Sequence, residues 1–87
     1  MYERHTMETK KDIILVKFGQ HVKKIRKELK LSQDDVVVNS DRLIKATVSD
    51  IENEKRNLSF TTLVDLAKGL GIQPKKLMDF KLEVDKE

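Results

Sequence analysis

Few side chains in this sequence are arranged for chemistry, and the combinations that catalysis needs are absent. There is no cysteine, which excludes disulfides, thiolate zinc sites and a cysteine nucleophile. His5 and His21 stand 16 positions apart with no acid placed to complete a metal site, so both are expected to be solvated. No Ser-His-Asp constellation is detectable from spacing. Gly69-Leu70-Gly71 follows a helical pattern and reads as its end rather than as a phosphate-cradling loop. No catalytic residue, metal, cofactor or small-molecule substrate is therefore expected. What remains is Lys45, Ala46, Thr47 and Asp50, which bring together an ammonium donor, two methyl groups and a carboxylate acceptor. At the leading end of a helix, such a set could read base edges in a major groove about 12 Å wide. Lysine can donate to guanine O6 and N7, the two methyl groups can meet a thymine methyl, and aspartate can accept from cytosine N4. A merely solvated helix face is the competing explanation for the same residues.

Those four residues need a helix beneath them, and the apolar spacing supplies one. Leu43, Val48 and Ile51, with polar residues between, predict a helix over about 44–53. Before it, Leu15, Phe18, Val22, Ile25 and Leu29 fall three and four apart, which predicts a first helix over about 12–29 with its lysines on the solvated side. Ser32 can cap a short second helix whose acids Asp34 and Asp35 suit a helix start. Its inward residues would be Val36 and Val37, and Asn39, Ser40 and Asp41 would end it in a turn. Ser59 caps a fourth helix that buries Leu63, Leu66, Ala67 and Leu70 and ends at Gly71. A fifth starts at Pro74 and buries Leu77 and Phe80. The class is all-α with five short helices. The domain spans 11–80 between a flexible tail at 1–10 and a C-terminal tail at 81–87.

Composition agrees with that class. Of 87 residues, 38% are charged, with three glycines and one proline, as befits helical surfaces rather than strands and turns. A chain of this length is expected to hold one domain, without a ligand-sensing second. The longest apolar run, Ile13 to Val16, is far short of the roughly 20 residues that span a bilayer. No signal-peptide pattern opens the chain, so the expected location is the cytoplasm. Net charge is +3, distributed as +5 over residues 1–31, −2 over 32–57 and zero over 58–87. A nucleic-acid binder should carry a basic footprint, and here it lies mainly at the front.

The order of these pieces resembles the Cro and phage-repressor type of helix-turn-helix family, called XRE-like, over about residues 13–80. The resemblance is carried by Ile25-Arg26-Lys27-Glu28-Leu29, Leu31-Ser32-Gln33-Asp34-Asp35-Val36, Val48-Ser49-Asp50-Ile51-Glu52, Lys55-Arg56-Asn57 and the run from Leu63 to Ile72. It implies a transcription regulator that reads a double-stranded DNA operator through the helix at 44–53, with Lys45, Ala46, Thr47 and Asp50 at the bases. It also implies phosphate contacts from Gln33, Ser49, Asn53, Lys55 and Arg56, which position the protein without reading sequence. Gln33 would in addition steady the third helix. Arg26 and Glu52 occupy positions that in this family form an ion pair between helices one and three, so the resemblance implies a structural pair here. A glutamate beside a buried isoleucine is costly unless paired, and a guanidinium can bond it twice. Two departures stand out: the turn is one residue longer than usual and lacks its glycine around 40–42, and position 37 is valine where alanine is common.

The family reads paired half-sites about 34 Å apart as a two-fold dimer, so a homodimer is expected. Phe80, Leu82 and Val84 alternate with charged residues, which suits either a short strand that pairs across the two-fold axis or a frayed charged tail. The alternative function is a protein-interaction module that keeps the fold and has lost DNA binding, which the net −2 of residues 32–57 permits.

Overall fold

The computed structural model describes residues 10–54 and 56–82, of Lys10 the backbone only. It holds five helices: α1 (Lys10–Glu28), α2 (Gln33–Asn39), α3 (Lys45–Asn53), α4 (Phe60–Leu70) and α5 (Pro74–Leu77). Each boundary has a local cause. Ser32 and Asp35 form a reciprocal capping box at the start of α2, each bonding the other's backbone amide at 2.8–2.9 Å. Ser59 caps α4 through the Thr62 amide, and Pro74 opens α5, where a missing N–H costs nothing. Gly71 ends α4 with φ 74°, and the Ile72 amide folds back onto the Ala67 carbonyl.

Helix α1 ends in the same motif, with a non-glycine in the left-handed position. Lys30 has φ 61°, and the Leu31 amide reaches back to the Arg26 carbonyl at 3.0 Å. Leu29 therefore lies past the last helical residue and is 44% exposed, a correction to its expected place on the buried stripe. Residues 1–9 of the expected flexible tail lie outside the described residues, and Lys10 already belongs to α1. The alternating pattern expected to form a strand runs into residues 83–87, which also lie outside. Its first residues, 80–82, are irregular.

The core gathers Phe18 and Val22 of α1, Val36 of α2, Leu43, Val48 and Ile51 around α3, Leu66, Ala67 and Leu70 of α4, and Leu77 of α5. Two glycines allow the helices to approach this closely. A Cβ at Gly19 would lie 2.2 Å from the Ile51 carbonyl oxygen, and one at Gly69 would lie 2.5 Å from that of Val36. Backbone thus meets backbone where α1 crosses α3 and where α4 crosses α2, and any side chain would force them apart. His21 is not simply solvated. It is half-buried, its Nε2 donates to the Lys76 carbonyl at 2.8 Å, and its ring lies 5.2 Å from that of Phe80. It ties α1 to the C-terminal helix.

Candidate nucleic-acid interface

The turn that aims α3 is built without glycine. Ser40 caps α2, donates its hydroxyl to the Val37 carbonyl at 2.8 Å and accepts the Leu43 amide at 3.2 Å. From α4, the Asp65 carboxylate accepts the amides of Asp41 and Arg42 at 2.7 and 2.8 Å. Lys68 on the same helix bonds Asp41, which raises the Lys68 pKa through that hydrogen bond and the carboxylate's charge. Leu43, 8% exposed, anchors the turn in the core. No residue of this segment needs a left-handed backbone, since Lys30 is the sole described non-glycine with positive φ. That is why the glycine usual in the family can be missing here. Asp65 carries no local sign of its role, because an acid on a helix face reveals nothing about which loop lies opposite.

Behind α3 a polar network fixes its angle. Arg26 of α1 donates Nε to Glu52 Oε2 at 2.6 Å and Nη2 to Oε1 at 3.0 Å, while Nη1 holds the Leu31 carbonyl at 2.8 Å. The paired side chains are 11% and 0% exposed. The hydrogen bonds from Arg26 to Glu52 raise the arginine's pKa, with burial opposing and the opposite charge adding. Gln33 joins from α2, its amide donating to Glu52 Oε1 at 3.1 Å. Three helices are thereby tied at one carboxylate. Gln33, named from the sequence as a backbone contact that also steadies α3, is bonded to α3 in this structure.

With Val48 and Ile51 turned into the core, the other face of α3 meets solvent. Lys45 and Ala46 are exposed at its start, Thr47, Ser49 and Asp50 are half-buried along it, and Asn53 is exposed at its end. The Lys45 ammonium lies 3.6 Å from Asp34 of α2, Arg56 Nη1 lies 3.3 Å from Asp50, and Asn53 donates to Ser49 at 3.4 Å. The two ion pairs are solvent-exposed and hold their partners weakly. Their cations stay available to a stronger anion. Lys55 lies outside the described residues. Ile44, expected as the first residue of this helix, is its N-cap and is 60% exposed. Among the described residues, no group of three metal-ligating side chains comes together, and no helix is long and apolar enough to cross a membrane.

Two helices joined by a tight turn, the second held rigidly from behind and solvent-facing in front, form a helix-turn-helix unit, the arrangement of DNA-binding transcription regulators. Residues 22–77 match the helix-turn-helix family, and the chain belongs to it. It is 41% identical over 64 residues to the control protein C.BamHI of Bacillus amyloliquefaciens, covering 72% of this chain and 78% of that one. It is 39% identical over 75 residues to the control protein C.MunI of a Mycoplasma species, covering 85% and 96%. An immunity repressor of Bacillus phage phi105 is 42% identical over 55 residues, 63% of this chain and 38% of the repressor. The fold matches the crystal structure of the restriction-modification controller protein C.AhdI from Aeromonas hydrophila, with TM-score 0.68 and 35% identity over 75% of this chain and 97% of that one.

Proposed function

We propose that this regulator is a homodimeric controller of restriction-modification genes, a repressor or autoregulator that lays α3 in the major groove of a two-fold symmetric operator. Lys45, Ala46, Thr47 and Asp50 touch bases. Gln33, Ser49, Asn53, Lys55 and Arg56 touch phosphates and set the register. The observation that carries this reading is the division of α3, whose rear is locked by Arg26–Glu52 while its leading residues Lys45 and Ala46 are exposed and Lys45 is held only by a weak surface ion pair to Asp34. The likeness to the restriction-modification controller protein C.AhdI supports the choice of regulated genes, and the likeness to the control proteins C.BamHI and C.MunI supports a controlling role. The protein works as a regulator rather than an enzyme, in the cytoplasm with its DNA.

One short helix reads too few bases to bind tightly, so a second copy is part of this reading. The surface that suits it lies beside α4 and α5. Phe60 is 76% and Met78 52% exposed, and with Ile14, Leu58 and Leu63 they line an apolar groove of about 330 Å³. Two large exposed apolar side chains beside an apolar groove suit contact with a second copy. Sedimentation of the full chain alone and with Phe60→Glu tests this. The wild type should be a dimer, and the variant should be monomeric and bind its operator more weakly. A Phe60→Glu chain just as dimeric would move the interface elsewhere.

A further inference from the structure

Helix α3 begins at a residue that helix stability does not explain. Its N-cap is Ile44, with φ −116° and ψ 161° and no side-chain hydrogen bond to the first turn. The caps of α2 and α4 are serines, each accepting a backbone amide through its hydroxyl. Serine, threonine, aspartate and asparagine are the strong residues at this position, and isoleucine is among the poorest. Core packing does not compensate, because the side chain is 60% exposed while its neighbour Leu43 is 8% exposed. Ile44 is nonetheless rigidly placed. Its carbonyl accepts the amides of Thr47 and Val48 at 3.0 and 3.2 Å, and the residue before it, Leu43, is buried in the core. A branched apolar group is thus held in water at the leading edge of the recognition helix, directly before Lys45.

We infer that Ile44 is a further specificity-determining residue, which reads thymine by covering its 5-methyl group. The inference rests on the proposed seating of α3 in the major groove. Among the base edges of that groove, the thymine methyl is the apolar feature, set among donors and acceptors. An isoleucine over it removes apolar surface from water on both partners, a gain of about fourfold in affinity for a methyl-sized group. Over the amino group of cytosine or adenine, the same side chain would strip water and return no hydrogen bond. The weak cap is then the consequence of a side chain chosen for the groove.

The test uses the full chain and the best operator that it selects from a random DNA pool. Each thymine is replaced in turn by deoxyuridine, which removes the methyl and leaves pairing intact. Affinities are compared for wild type and Ile44→Ser, and thermal midpoints are measured on the free proteins. The expected result is a thymine in each half-site whose replacement weakens the wild type about fourfold and has no such effect on Ile44→Ser, whatever other thymines Ala46 and Thr47 cover. Ile44→Ser should bind both forms of that site equally and should melt no lower than the wild type, since serine supplies the missing cap. If every thymine-to-uracil ratio is the same for the two proteins, the inference is overturned. It is also overturned if Ile44→Ser melts well below the wild type, which would make Ile44 structural. If the chain selects no sequence at all, the groove seating fails with it. A selected motif that changes in Lys45→Ala, alongside unchanged uracil ratios in Ile44→Ser, refutes the inference alone.

Discussion

Replacing Glu52 by alanine removes the acceptor of three donors at once: Arg26 Nε, Arg26 Nη2 and the Gln33 amide. Of these, the guanidinium is the expensive one. Its side chain is 11% exposed, so water cannot take over the lost bonds, and only the Leu31 carbonyl remains among its described partners. Losing one partner of a buried pair costs roughly 3–5 kcal/mol, against about 0–1 kcal/mol for an exposed pair. Because Arg26 keeps that one carbonyl, the lower end, about 3 kcal/mol, is expected. In a domain of this size a loss of about 1 kcal/mol moves the midpoint by about 4–8 °C, so Glu52→Ala should melt roughly 12–24 °C lower. The assay is thermal and urea unfolding followed by helical circular dichroism, on wild type, Glu52→Ala, Arg26→Met and the double variant. The double variant buries no orphan charge and should be more stable than additivity predicts, with a coupling of about 2 kcal/mol or more. A coupling below about 0.5 kcal/mol would refute the reasoning and leave two independent charges.

Three further outcomes follow from the geometry. Asp65→Ala should cost roughly 1–3 kcal/mol, as expected for hydrogen bonds to a charged group, and should lower operator affinity. Urea unfolding and fluorescence anisotropy read the two effects. Gly19→Ala should destabilise by about 1–3 kcal/mol or more, because the added methyl meets the Ile51 carbonyl rather than a flexible side chain, and calorimetry measures it. Asp35 is held below its ordinary pKa of 3.8, first by the Ser32 backbone amide and then by the Ser32 hydroxyl. A depressed folded pKa gives stability that is present above the unfolded value and lost as pH falls through the folded one. The stability difference between wild type and Asp35→Asn should therefore be full above about pH 4 and should shrink as the pH falls further, which acid titration followed by circular dichroism records.

Helix starts and stops were legible because they are local. Ser32, Ser59, Pro74 and Gly71 act on their immediate neighbours, and their types alone announce the boundary. The apolar spacing likewise located Val22, Val48, Ile51 and Leu66 in the core. What the sequence concealed depends on elements far apart in the chain. Gly19 lies in no turn and is explained only by the α3 backbone packed against it, and Asp65 stands 23 and 24 positions from the amides that it holds. His21 looked solvated because Lys76 and Phe80 come to it only through the fold. Leu29 fitted the apolar period, yet the left-handed residue behind it ends the helix and turns it outward. Arg26 and Glu52 were suggested by family resemblance, since 26 positions of chain separate them.

In the proposed reading, the leading residues of α3 choose the bases while Arg56 only holds the backbone. Sequence selection from a random DNA pool, run in parallel on wild type, Lys45→Ala, Thr47→Ala and Arg56→Ala, tests it directly. Each good base contact discriminates by about 1–3 kcal/mol, so Lys45→Ala or Thr47→Ala should change the preferred base at a defined position of each half-site. Arg56→Ala should return the wild-type motif with uniformly weaker binding and a shallower salt dependence. If Lys45→Ala and Thr47→Ala both select the wild-type motif unaltered, α3 does not read this DNA as described.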